Sequence, residues 1–290
     1  MENWMRFNFF KKLNYLRKEH ETPRWGYNSK SHHDLLYKII GRGNESYYKL
    51  LKTFIEKYKD AFLQIAPYVK KGKNNNLEPQ IGNPWLPCLD SFMLYSMLAH
   101  YSSKKYIEVG SGNSTKFARK SVIDNKLDTR IISIDPKPRA EIDEICDEVF
   151  RKPVEDMDIH FFSQLEAGDI LFIDNSHRCF MNSDVTACFI DIIPRLKPGV
   201  IVEIHDIFLP DDYPPQWGKR YYSEQYLLAA YILAESSRFD ILMPNAQIGK
   251  YCEDTKELIK TSFFDDKRFG KQCVGGSFWL VMKESNYIDL

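Results

Sequence analysis

The carboxyl and imidazole side chains of Glu108, Asp135, Asp174, His177, His205 and Asp206 all fall at or just after segments that read as strands. In an open parallel sheet the ligand lies outside the carboxyl ends of the strands, so Glu108, Asp174, His177, His205 and Asp206, after the first, fourth and fifth strands, share one crevice. A carboxylate at Glu108 repels phosphate but suits an ammonium or hydroxyl group. Asp135, at the end of the second strand, stands where an acidic residue receives a pair of ribose hydroxyls. Asp174 and Asp206, with His205 and His177 close by, form a set of oxygen and imidazole donors, and Asp174, His205 and Asp206 are read as ligands for a divalent cation. Without a metal, His205 or His177 would take a proton near neutral pH while Asp206 or Asp174 orients the ring.

The stretch Glu108-Val-Gly-Ser-Gly-Asn-Ser-Thr115 joins a strand over Tyr106–Val109 to a helix over Lys116–Val122, whose apolar positions are Phe117, Ala118 and Val122. Gly110 and Gly112 open the turn to a ligand. Ser114 or Thr115 is expected to cap the helix, whose free N–H groups face the crevice. A dinucleotide fingerprint needs glycine at Thr115, and a Walker loop needs Gly-Lys-Ser/Thr; the sequence has neither. A ligand with a ribose, a positive charge and no phosphate fits both Glu108 and Asp135, and S-adenosylmethionine is such a ligand.

On Glu108–Thr115, Asp135-Pro136, Asp169-Ile-Leu-Phe-Ile-Asp-Asn-Ser-His177 and His205-Asp-Ile-Phe-Leu-Pro210, the sequence resembles the class I S-adenosylmethionine-dependent methyltransferases over roughly residues 80 to 285. It looks closest to a bacterial small-molecule O-methyltransferase branch often found near surface-sugar and secondary-metabolite genes. The resemblance implies an α/β fold, a Rossmann-like doubly wound seven-stranded sheet with the last strand antiparallel. It places Glu108, Gly110, Ser111, Gly112, Asn113 and Ser114 around the methionine part of the cofactor, Asp135 at the ribose, Asp156 near the adenine and Asp174 in the same crevice. Metal-dependent members use an aspartate after the fourth strand and an acidic or amide pair after the fifth. Asp174 and Asp206 match two of these positions, while His205 stands where the pair has another oxygen ligand. The expectation is methyl transfer from S-adenosylmethionine to a hydroxyl of a small molecule, such as a sugar or secondary metabolite, with Mg2+ or another divalent metal as a second cofactor. N-methylation, intramolecular chemistry on the cofactor and a non-catalytic scaffold of the same fold are the competing readings; Thr115 and Glu108 argue against a nicotinamide-dependent reductase.

These residues need a sheet to hold them. Strands are expected at Arg130–Ile134, Glu148–Arg151, Ile170–Asp174, Val200–Ile204, Phe239–Met243 and Ser277–Met282, with helices between them at Ala140–Cys146, Asp184–Leu196 and Ser223–Ser236. Before the first strand, a helix over Ser91–His100 takes Asp90 as its cap, and Trp85 is placed to close over the cofactor. Residues 1–80 read as a helical extension, with an apolar stripe over Ser46–Ile65 and an amphipathic opening segment, Trp4–Leu16, that packs on its own domain or a second subunit. The polar run Lys70–Asn76 marks the boundary with a cofactor-binding domain over 81–290. Pro210–Trp217 is read as a stiff loop over the acceptor, with Tyr213, Trp217, Tyr221 and Gln225 lining its pocket. The stretch from Asn245 to Gly276 is long for a connection and reads as a lid or a homodimer contact.

Composition narrows the partners. The 290 residues carry 40 basic and 40 acidic side chains, a formal net charge of zero, which argues against a nucleic-acid partner. Six cysteines without zinc or Cys-x-x-Cys spacing read as reduced and mostly buried, in a cytoplasmic protein. No apolar run approaches the roughly 18 residues of a membrane span, and the first residues lack the order of a signal peptide.

Overall fold

The computed structural model describes residues 32–69, 77–234, 237–263 and 275–284. Runs of branched and aromatic residues form β1 (Lys105–Val109), β2 (Arg130–Ile134), β3 (Glu148–Phe150), β4 (Ile170–Ile173), β5 (Ile201–Ile204), β6 (Phe239–Pro244) and β7 (Phe278–Met282). They make one seven-stranded sheet in the order β3-β2-β1-β4-β5-β7-β6. β7 alone runs antiparallel to its neighbours, pairing Ile201 with Val281 and Ile204 with Phe278 on one side and β6 on the other. This is the doubly wound order with an antiparallel insertion that the resemblance implied.

A parallel sheet needs apolar cover on both faces, and alternation along each strand supplies it. Tyr106, Ile131, Ile170, Phe172, Ile201 and Trp279 face one buried layer with Phe54, Phe62, Phe92, Tyr95, Phe117 and Phe263. Those aromatic rings come from α2 (Asn44–Phe62), α3 (Cys88–Tyr101), α4 (Asn113–Asp124) and α8 (Glu253–Phe263). On the other face Ile107, Ile132, Leu171, Val202 and Leu280 pack with Leu36 and Ile40 of α1 (Asp34–Gly41) and with Val185, Phe189 and Leu228. The short α5 (Asp184–Thr186) and α6 (Glu224–Leu233) bring Val185 and Leu228 to that layer. Residues 34–62, from the expected extension, therefore share the core of the sheet. The expected opening segment at Trp4–Leu16 and the boundary at Lys70–Asn76 lie outside the described residues.

Several elements differ from expectation. No α-helix forms over Ala140–Cys146, where the chain makes only a three-residue 3-10 turn at Asp143–Ile145. Pro136 and Pro138 stand just upstream, in a run of bends between β2 and this turn. The expected helix Asp184–Leu196 starts as one α-turn, widens into π-helical turns at Ala187–Ile192 and ends as a 3-10 turn around Pro194. The connection after β6 is no open lid where it is described. It folds into α7 (Asn245–Lys250) and α8, which bury Ile248, Ile259 and Phe263 in the core. Asp90 does not cap α3, which begins at Cys88 behind Pro87. Nor do Ser114 or Thr115 cap α4, whose cap is Gly112; Thr115 instead accepts a hydrogen bond from Gly112 N at 3.1 Å. Cys88, Cys188 and Cys252 are buried, Cys146 and Cys179 half-buried, and all five are free thiols; Cys273 lies outside the described residues. No described helix is long and apolar enough to cross a membrane.

Candidate active site

The turn after β1 has a steric logic centred on Gly110. It takes a φ of +82°, and a Cβ there would stand 1.9 Å from the Asp174 carbonyl oxygen. Glycine lets the end of β1 close on the end of β4, where Asp174 N donates to Val109 O at 2.9 Å. Gly112 has open space where a Cβ would stand. Behind the turn, Glu108 receives the Thr115 hydroxyl on one oxygen and the Tyr106 hydroxyl, at 3.2 Å, on the other. Glu108 is wholly buried. Burial pushes its pKa up to about 7, against the lowering effect of hydrogen bonds from Ser114, Thr115 and Tyr106.

In front of the turn opens a cavity of about 340 Å³, lined by Gly110 to Ser114, by Asp135 and Lys137 after β2, by Val154 and Glu155, by Asp174 after β4 and by Trp85. Asp135 is held at its mouth, accepting Ser111 N on Oδ2 at 2.8 Å and Lys137 N on Oδ1 at 2.7 Å. Of the residues expected at the cofactor, Gly110, Ser111, Gly112, Asn113, Ser114, Asp135 and Asp174 line this cavity. Glu108 does not, because its side chain turns into the core to brace Thr115. Asp156 does not either, since the 3-10 turn Val154–Asp156 directs its neighbour Glu155 to the cavity.

A second cavity, of about 540 Å³, meets the first at Trp85, Arg139 and Asp174. Its floor is His205 and Asp206 after β5, and its far wall is Phe208, Trp217, Arg220 and Tyr222. Pro214 and Pro215 lead into the 3-10 turn that carries Trp217, as expected for a stiff loop. Tyr213, Tyr221 and Gln225, expected in this lining, are not part of it. Gln225 instead braces the loop from behind, accepting Phe208 N at 3.0 Å and donating its own N–H to the Tyr213 hydroxyl at 3.2 Å.

Where the cavities meet, two imidazoles and two carboxylates interleave. His177 Nε2 lies 3.1 Å from Asp174 Oδ1 and 3.5 Å from Asp206 Oδ2. His205 Nδ1 lies 3.7 Å from Asp174 Oδ1 and 3.6 Å from Asp206 Oδ1. Neighbouring strand residues normally point to opposite faces. Beyond the strand ends that alternation lapses: Asp206 takes a left-handed φ of +56° and His177 one of +58°, conformations that cost a non-glycine residue about 1 to 3 kcal/mol each.

Each ring is held from behind by a wholly buried carboxylate. His177 Nδ1 hydrogen-bonds Glu224 Oε2 at 2.8 Å, and His205 Nε2 stands 3.3 Å from Asp90 Oδ2. Asp90 also accepts Gly276 N at 2.8 Å, Ser277 N at 3.0 Å and Asn245 Nδ2 at 2.6 Å, which ties α3 to the start of β7. Burial alone would push both imidazoles down in pKa. The surrounding carboxylates outweigh it, Asp174 and Glu224 for His177 and Asp174 and Asp90 for His205, so both rings are raised well above the ordinary histidine value. Burial alone would raise Asp174, but the two rings hold it well below the usual carboxylate range. Asp206 goes the other way, since burial raises it more than the rings lower it.

Asp174, His177 and Asp206 offer one ligand atom each within 4.8 Å of one another. His177 thus joins the two carboxylates in the converging set, where His205 had been expected. Sequence reasoning missed Asp90 as an imidazole partner, and missed Glu224, Glu155, Arg139, Arg220 and Tyr222 altogether. A signal existed for Asp90: it sits in the run Cys88-Leu-Asp-Ser-Phe-Met-Leu, and an acid inside a buried apolar helix must find partners.

Residues 107–207 match the family model Methyltransf_24, described as "Methyltransferase domain". No curated protein matches. Solved structures of similar outline include CmcI with Mg and SAM, at 17% identity and a TM-score of 0.39 over 70% of this chain and 73% of that one. The SAH-bound Podospora anserina methyltransferase PaMTH1 is similar at 12% identity and a TM-score of 0.41, over 80% and 88% of the two chains. The plantazolicin methyltransferase BpumL in complex with SAH is similar at 13% identity and 0.41, over 68% and 85%.

Proposed function

From a chain whose residues 107–207 match a methyltransferase-domain model, we propose methyl transfer from S-adenosylmethionine to a hydroxyl oxygen of a small-molecule acceptor. One observation carries the reading: two cavities meet at Asp174, one lined by the Gly110–Ser114 turn and Asp135, the other floored by His205 and Asp206. Cofactor and acceptor can then face each other across a shared boundary, as in-line attack on a sulfonium methyl requires. The first cavity offers the backbone of Ser111 to Ser114 to the methionine part and the Asp135 carboxylate to the ribose. Trp85, half exposed at 49%, is a wall common to both cavities.

Transfer to oxygen needs the hydroxyl proton removed. The rings of His177 and His205 are each held between a buried carboxylate behind, Glu224 or Asp90, and Asp174 and Asp206 in front, carboxylates that raise both rings in pKa, so their place is to position Asp174 and Asp206. That leaves Asp206, which lines the acceptor cavity and whose raised pKa makes it a better proton acceptor than Asp174, the other carboxylate of that lining.

The donor set also fits a divalent cation. Asp174, His177 and Asp206 would hold it, and Glu224 behind His177 is the outer carboxylate that a ligating imidazole takes as partner. A cation there would lower the pKa of the acceptor hydroxyl and orient it.

The experiment is turnover of S-adenosylmethionine with a panel of hydroxyl acceptors, following S-adenosylhomocysteine. Asp206→Asn is expected to cost about 100-fold or more in kcat/KM while S-adenosylhomocysteine affinity changes by less than about threefold. Methylthioadenosine as the product, or full turnover by the variant, would contradict the assignment.

A further inference from the structure

The second cavity contains charge of both signs. Besides Asp174 and Asp206 it is lined by Arg139 and Arg220. Several other arginines are engaged by the protein itself: Arg119 with Asp147, Arg130 with Glu148, Arg151 with Asp143, and Arg238 with the carbonyls of Pro194 and Leu196. Among the described residues no carboxylate meets Arg139 or Arg220.

Arg220 is also held in position. Its guanidinium lies over the Trp217 ring, 3.8 Å from the centroid, and 5.5 Å from the centroid of Tyr222. Stacking occupies the flat face of the guanidinium and reduces the freedom of its long side chain, yet leaves the N–H groups at its edge unused. That edge is a fork matched to two oxygens of one anion. Trp217 and Tyr222 are themselves fixed edge to face, with centroids 5.6 Å apart, and Trp217 stands against Phe208 at 5.0 Å. Arg220 is thus held on a braced aromatic wall of the cavity floored by His205 and Asp206.

We infer that the acceptor is a hydroxylated acid, its carboxylate or phosphate gripped by Arg220 with Arg139 in support, and its hydroxyl turned to Asp206. This rests on the methyl-transfer reading and deepens it. The carboxylates of the floor would repel such an anion if it were unguided, so the arginines also set direction: the anionic end is drawn to the wall and the hydroxyl end is left at the floor. Arg139 borders the cofactor cavity as well, so the test falls on Arg220.

The experiment titrates matched probes into the full chain loaded with S-adenosylhomocysteine: glucuronate and glucose 6-phosphate against glucose, and 3,4-dihydroxybenzoate against catechol. At least one acid is expected to bind about tenfold or more tightly than its neutral counterpart. Arg220→Gln is expected to remove that preference, and Arg220→Lys to restore only part of it, since a lysine keeps the charge and loses the fork. S-adenosylhomocysteine affinity should stay within about twofold in both variants, which certifies that they are folded. The inference is overturned if no acid outbinds its neutral counterpart, or if the preference survives in Arg220→Gln. Failure of the loading step, with no S-adenosylhomocysteine bound by the wild-type chain, would instead overturn the methyl-transfer reading beneath it. A preference for the phosphate over both carboxylates would identify which anion the fork takes.

Discussion

Glu108 puts a carboxyl group wholly inside the protein, with its oxygens taken up by the hydroxyls of Tyr106 and Thr115, and burial carries its pKa to about 7. Its ordinary value, 4.5, applies to the unfolded chain, so between these values the native state binds more protons than the unfolded one. The stability it contributes is therefore complete below about pH 4.5 and is lost as pH rises through 7. In denaturant unfolding at pH 5 and pH 8, wild type should lose on the order of 2 kcal/mol relative to Glu108→Gln. A stability difference that does not change with pH would show that Glu108 titrates normally. The chemistry of the strand-end residues was legible because a sheet's carboxyl ends are identifiable from sequence. Asp174, His177, His205 and Asp206 do converge there. What their side chains do next was not legible, because it depends on partners from distant segments. Asp90 and Glu224 reach the two rings only once α3 and α6 are packed against the sheet. Glu108 and Asp156 failed as cavity residues for a smaller reason: in each case the local backbone aims a neighbour at the ligand space instead.

The turn between β1 and α4 shows how one element sets the geometry of another. Gly110 combines a φ of +82° with a would-be Cβ contact of 1.9 Å to the Asp174 carbonyl, so an alanine must push the β1 end and the β4 end apart. Gly110→Ala is expected to cost about 2 kcal/mol or more and to weaken S-adenosylhomocysteine binding at least tenfold, since both lips of the first cavity would move. Thermal melting and a binding titration on the same sample check this. An unchanged affinity would mean that the cavity is not shaped by that contact. Strands were the most legible elements, as branched runs such as Ile170-Leu-Phe-Ile173 admit few other structures. Helices were less so. The segment over Ala140–Cys146 has helical composition but follows two prolines, and it settles into a single 3-10 turn. The segment after β4 keeps its apolar face against the sheet only by widening into π-helical turns before Pro194. Periodicity tells which face must be buried, and says little about how regular the backbone is while burying it.

At the scale of the molecule, the sheet and both its apolar layers position one crevice, and helices from either side of the sheet's sequence build those layers. α2 and α8, far apart in sequence, share the aromatic layer that includes Phe62, Phe92 and Phe263, with ring centroids 5.3 Å and 5.0 Å apart. The doubly wound order was legible from alternating strands and helices, with the antiparallel β7 implied by the resemblance. The packing of residues 34–62 and 245–263 into that same core was not, since composition alone does not distinguish an accessory helix from a core helix. The account predicts one crevice with two compartments, the first of which takes the cofactor without help from the second. The most direct test is a calorimetric titration of S-adenosylhomocysteine into the full chain with no acceptor present. Micromolar binding to a single site is the predicted result. No heat and no binding up to millimolar ligand would contradict the assignment of the Gly110–Ser114 cavity, and with it the roles of Asp135, Asp174 and Asp206.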